Sequence, residues 1–161
     1  MKIIPSEKLE LTTSLSMAEL EGHLRENIQK HRSYSIGSIK KSNKYFVGTV
    51  FPDHFKCKKF TYQRNSFLPQ VTGIFQEEPK GTKIVITLKV DSFVSIFLIL
   101  FYAFIICALF AFVYLVSYQQ IEPYYILVPI ALLLLVFGIP HLGFHLEKES
   151  TITELKKILT V

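Results

Sequence analysis

No charged residue lies between Asp91 and Glu122, and none between Glu122 and Glu147. Two uncharged runs of this length restrict the chain more than any other feature it has. Phe93–Tyr118 is 26 residues, about 39 Å as a helix, and a bilayer core needs about 20 residues. The second run, Tyr124–Leu142, is 19 residues. The link between them, 119–123, is short, so the two runs are expected to form an antiparallel transmembrane hairpin with 119–123 as its outer loop. Between Phe93 and Leu146, 42 of 54 residues are hydrophobic, against 50% for the whole chain of 161. Such a division excludes disorder, a disulfide scaffold and an ordinary water-soluble domain. It leaves a small membrane protein with a modest aqueous part.

Side chains near the runs fit this reading. Tyr114, Tyr118, Tyr124 and Tyr125 cluster about the loop, where amphipathic rings suit a headgroup belt. Pro123 suits a helix start. Gly138 and Pro140 are expected to bend or loosen the far end of the second span. The loop has no Lys or Arg, whereas Lys83 and Lys89 precede the first span and Lys148 follows the second. The positive-inside rule therefore places both termini in the cytoplasm. Residues 1–30 lack the pattern of a cleaved signal, and no lipidation motif occurs, so the first span is expected to act as an internal insertion signal. Cys57 and Cys107 fall in different environments and are not expected to pair.

The aqueous part carries the basic excess of a chain whose net charge is +5. Ser16-Met17-Ala18-Glu19 has capping-box spacing, and Leu20, Leu24 and Ile28 recur every four residues, which predicts an amphipathic helix over 17–31. Beyond residue 33 the period becomes two. Strands are expected at 45–51, 55–62, 67–76 and 82–91, with short edge strands near Ile3-Ile4 and at 34–40. Turn residues at Pro52-Asp53, Asn65-Ser66 and Pro79-Lys80-Gly81 separate them, so the strands should form an antiparallel meander. After the second span, Thr151-Ile152-Thr153-Glu154 has capping-box spacing again. Ile152, Leu155, Ile158 and Leu159 make a stripe, predicting a terminal helix over 147–161 that packs on the sheet or lies on the bilayer. The fold class expected is an α+β membrane protein. In it a cytoplasmic domain over 1–92, with N- and C-terminal amphipathic helices, is interrupted by the hairpin.

The segments Tyr45-Phe46-Val47-Gly48, Phe55-Lys56, Tyr62–Gly73 and Gly81-Thr82-Lys83-Ile84 resemble a family of small, uncharacterised bacterial membrane proteins. In that family a sheet with an Arg-Asn-Ser-Phe-x-Pro-x-x-x-Gly element precedes two membrane helices. The resemblance covers about residues 45–110. It implies a bacterial cell (inner) membrane and no particular chemistry.

Candidate functional residues are few. Lys56, Lys58 and Lys59, with Lys40, Lys41, Lys44 and Arg64, read as a solvated strand face or as a contact for anionic lipid headgroups. Nucleic acid is disfavoured, because interleaved Tyr45, Phe46, Phe60 and Tyr62 are equally explained as strand core. Arg64 and Asn65 could meet an anion or a partner at a hairpin tip, although Asn-Ser followed by Pro69 is first a turn signal. His141 and His145, one helical turn apart, have the spacing of a metal pair but lack a third ligand of convincing spacing. His54 and Cys57 are close in sequence but fall on opposite faces of a strand. No phosphate-binding loop, nucleophile elbow or zinc-protease motif occurs, and no cofactor is expected. No Asp, Glu, Lys or Arg lies within either span to carry ions. Ala103, Ala108 and Ala111 are the small residues available for helix contact in a homo-oligomer. The expectation is a non-enzymatic, membrane-anchored binding or regulatory module acting at the cytoplasmic face on a protein partner or the inner leaflet. The alternative is a membrane-bound enzyme or metal site at His141/His145 or His54/Cys57.

Overall fold

A computed structural model describes residues 3–30, 44–61 and 65–159. Alternation of Leu9, Leu11 and Thr13 with polar residues makes Ser6–Thr13 a strand, β1, in place of the short one expected near Ile3-Ile4. Helix α1 (Met17–Asn27) starts as its spacing requires. The Ser16 hydroxyl accepts from the Glu19 N–H at 3.4 Å, and the Glu19 carboxylate accepts from the Ser16 N–H at 2.9 Å. These bonds satisfy two orphan donors, and the Ser16 hydroxyl, donating to the Glu19 carboxylate at 2.7 Å, together with the Ser16 N–H holds that carboxyl below its ordinary range.

The helix ends at Asn27, four residues before the expected 31. There the Asn27 amide bonds back to the His23 carbonyl at 2.9 Å, and Ile28 turns extended at φ −101 and ψ 125. Ile28–Lys30 is thereby recruited as β2. A β-branched residue gains more by pairing with Phe46 on the sheet than by one further helical turn.

The next strands are β3 (Phe46–Val50), β4 (His54–Lys59), β5 (Gln70–Glu78) and β6 (Gly81–Lys89). They form the expected meander, and β5 turns into β6 at Gly81, whose φ of +136 a side chain would resist. The six-stranded sheet has the order β1-β6-β5-β4-β3-β2. It is mixed rather than purely antiparallel, because β2 runs parallel to β3. The edge strand expected at 34–40 lies outside the described residues.

Helix α2 (Ser92–Ser117) follows β6 almost directly, capped by Asp91, which accepts from the Phe93 N–H at 2.9 Å. It closes with Gln119 at φ 56, the Gln119 N–H on the Val116 carbonyl at 2.9 Å and the Gln120 N–H on the Leu115 carbonyl at 3.0 Å. This pair of bonds is a Schellman ending. A three-ten turn over Pro123–Ile126 leads into α3 (Leu127–Leu159).

Helix α3 corrects the expectation of two elements. It runs 33 residues without interruption, so the second apolar run and the predicted tail helix are one helix. Thr151 does not cap a new start: its hydroxyl donates to the Glu147 carbonyl at 2.8 Å, as a helix-interior threonine does. Pro140 does not end the helix either. Its missing N–H frees the Val136 carbonyl, and Tyr102 of α2 donates to that oxygen at 3.3 Å.

One core joins these parts. Leu20 and Leu24 of α1, the inward side chains of the sheet, and Phe144, Leu155 and Leu159 of α3 form a single buried cluster. Gly73 on β5 makes room for the Phe55 ring, which stacks on Phe75 at 5.8 Å. Outside this core, α2 and the first part of α3 are long and apolar enough to cross a membrane. Only 17% and 11% of their most apolar windows are buried, so neither resembles the core helix of a soluble protein.

Candidate functional site

Helices α1 and α3 cover one face of the sheet. The other face can be followed row by row through the strand registers. Ser6, Lys89, Gln70, Lys58, Val47 and Gln29 form the row nearest the start of α2. The next row contains Lys8, Thr87, Thr72, Lys56 and Thr49, and then come Glu10, Val85, Ile74 and His54. Apart from Val47, these side chains are exposed or half-exposed. The end of this face next to α2 is fixed by Gln70, whose amide bonds the carboxylate of Asp91, the cap of α2.

Lys56 and Lys58 are therefore outward-facing and exposed, while Phe55 and Cys57 alternate with them into the core. Lys59, the third lysine of the run, points to the opposite face. It bonds the Glu147 carboxylate at 3.0 Å and the Ser150 hydroxyl at 3.2 Å, and lies 5.4 Å from the centre of the Tyr45 ring. Its partial burial disfavours the charge, but the contacts with Glu147 and Tyr45 outweigh that and raise its pKa. Asn65 joins the same cluster, with its amide 3.4 Å from Glu147 and its side-chain oxygen accepting from the Phe67 N–H at 3.0 Å. Lys59 and Asn65 thus tie β4 and the β4–β5 loop to α3. Arg64 lies outside the described residues.

Sequence spacing alone missed Lys8 and Lys89 as members of the outward-facing group. The signal was present for Lys89, since alternation in β6 already set it opposite Ile84, Ile86 and Leu88. For Lys8 it required β1. Among the described residues, no carboxylate pairs with Lys8, Lys56, Lys58 or Lys89; Glu10 is held by Lys83 at 2.8 Å, and Glu7 by Lys148 at 3.5 Å.

The other candidates do not assemble. His54 is on the outward face, stacked on Phe51 with ring centres 4.5 Å apart and bonded to Asp53 at 2.7 Å. That bond holds the Asp53 carboxyl below its ordinary range. Cys57 is on the inward face, and burial pushes its thiol up to about 12, so it is a poor nucleophile. His141 donates through Nδ1 to the Phe137 carbonyl at 2.8 Å and stacks on the Phe137 ring at 4.3 Å, while His145 is exposed. Among the described residues, no group of three or more His, Cys, Asp or Glu side chains is placed to hold a metal. Comparison with protein-family models, with curated proteins and with solved structures gives no match.

Proposed function

We propose that this chain is a non-enzymatic, membrane-anchored binding module, held by a two-helix hairpin in a bacterial cell membrane with both termini cytoplasmic. It acts through the uncovered face of its sheet on a partner at the cytoplasmic surface. The continuity of α3 carries this reading: one helix is both an apolar span and part of the sheet domain's core. A domain built around the unbroken continuation of a span is held at a defined height and orientation at the membrane surface, unlike a domain on a flexible linker. Among the described residues, no helix packs on the free face, and its charge lies toward the start of α2.

Two measurements test this. Alkaline carbonate washing should leave the chain in the membrane pellet, and its release would defeat the anchoring. A Gln120→Cys variant in a Cys107→Ser background should react with a membrane-impermeant maleimide in intact cells. Labelling only after lysis would reverse the orientation.

A further inference from the structure

Four lysines that no carboxylate neutralises among the described residues occupy the two rows of the free sheet face closest to the start of α2. Lys58 and Lys89 flank Gln70 in the first row, two strand spacings or about 10 Å apart. Lys8 and Lys56 flank Thr87 and Thr72 in the second, three spacings or about 14 Å apart. Successive rows on one face are about 7 Å apart. The acids at this end are already engaged. Asp91 is bonded by Gln70 and the first turn of α2, Glu7 by Lys148 and Glu147 by Lys59. Farther along the same face the character changes: Glu10 pairs with Lys83, and Val85, Ile74 and Phe51 follow. On this face, among the described residues, unbalanced positive charge is thus confined to the two rows next to the start of α2, with hydroxyl and amide side chains between the lysines.

We infer that Lys8, Lys56, Lys58 and Lys89 form a docking patch for anionic lipid headgroups, with Thr72, Thr87 and Gln70 as the polar groups between them. The inference rests on the anchoring proposed above, which supplies both proximity and orientation. Charge complementarity selects the occupant. The cytoplasmic leaflet is negatively charged, and its attraction is confined to about a Debye length, the zone in which these two rows lie. A lysine near such a surface changes the docked-to-undocked ratio roughly fivefold, so four acting together hold the domain against the leaflet. Lys59, despite its place in the basic run, takes no part, because Glu147 holds it on the opposite face.

The experiment uses the full chain in a Cys107→Ser background, with a fluorophore at Thr72→Cys. It is reconstituted in vesicles of phosphatidylcholine, or of phosphatidylcholine mixed with phosphatidylglycerol, both carrying a trace of lipid with a quencher on its headgroup. Quenching should be about twofold or more greater in the anionic vesicles and should disappear in about 1 M salt, where the Debye length is about 3 Å. A variant with Lys8, Lys56, Lys58 and Lys89 all changed to Gln should fall to the neutral-vesicle level. The same charge change at Lys30, Lys80, Lys156 and Lys157 should not do so, and a label at Gln76→Cys should stay weakly quenched throughout. Equal quenching in both vesicle types overturns the proposal, as it would if the patch served a soluble acidic protein. Unchanged quenching in the four-lysine variant overturns it also. Flotation of the same samples at alkaline pH separates the two readings: a chain that floats but does not dock fails only the patch, whereas a chain that does not float fails the anchor. Maleimide-resistant Cys57 verifies that each variant is folded.

Discussion

Leu155 and Leu146 sit on one helix nine positions apart, and truncating each to Ala should have very unequal consequences. Leu155 is 1% exposed and shares the core cluster with Leu20 and Leu24 of α1, whereas Leu146 is 77% exposed. The change in helix propensity is the same for both, so the difference isolates burial. Leu155→Ala removes three buried carbons and leaves a cavity in a packed site, a loss of about 3 kcal/mol. Leu146→Ala should stay within about 0.5 kcal/mol. Urea unfolding of the whole protein in mild detergent provides the assay, with pulsed maleimide labelling of Cys57 in a Cys107→Ser background as the probe. Cys57 is buried in the same cluster, so its exposure reports the core rather than the hairpin. At a slope of about 1–3 kcal/mol per molar urea, Leu155→Ala should lower the midpoint by about 1–3 M while Leu146→Ala leaves it nearly unchanged. Equal midpoints would show that the end of α3 lies on the bilayer instead of on the sheet.

Three further outcomes follow from the same packing. A Cβ on Gly73 would lie 2.0 Å from the Phe55 ring, so Gly73→Ala should cost about 3 kcal/mol, and Phe55→Leu in the same chain should recover part of that in the urea assay. A double-mutant cycle on Lys59→Met and Glu147→Gln should give a coupling of about 1 kcal/mol, since the pair is 3.0 Å apart with its side chains 24% and 28% exposed; zero coupling would remove the tie between β4 and α3. The Cys57 thiol, pushed up to about 12 from 9.0, is favoured neutral in the folded chain. Its contribution is intact below pH 9 and falls as pH rises toward 12, because the unfolded chain loses this proton first. Wild type should therefore lose more stability than Cys57→Ala between those pH values.

Local patterning made much of this fold readable. The capping box at Ser16, the period-two strands and the turn at Gly81 each depend on residues within a few positions of one another, and each expectation matches the structure in kind. What failed was non-local. Ile28 follows the helical spacing of Leu20 and Leu24, and only its pairing with Phe46 turns it into β2. The Thr151-x-x-Glu154 spacing is a genuine capping box in form, but a preceding turn of helix already occupies the Thr151 hydroxyl. The candidate site divided for the same reason. Lys56, Lys58 and Lys59 look alike in sequence, yet alternation sends the last to the inward face, where Glu147 is 88 residues away in the chain. Lys8 and Lys89 join the others through registers that only the folded sheet defines.

Pro140 shows how a strong local signal is overruled. Proline in a helix interior removes one bond and clashes with the carbonyl four residues earlier. In a span surrounded by apolar side chains, no water stands ready to satisfy the freed group. A helix loosened there, as the sequence led one to expect, would leave the end of α3 and the sheet domain less firmly joined to the span. Tyr102 prevents it by reaching from α2 to the Val136 carbonyl. This bond satisfies the oxygen and ties the two helices of the hairpin to each other well inside the apolar region. Tyr102→Phe keeps the ring and deletes only the donor, and should cost about 1 kcal/mol in thermal unfolding within lipid nanodiscs. Pro140→Ala restores the intrahelical N–H, so in that background the same Tyr102→Phe change should cost almost nothing. A cost that is equal in both backgrounds would mean that Tyr102 serves some purpose other than the carbonyl left open by Pro140.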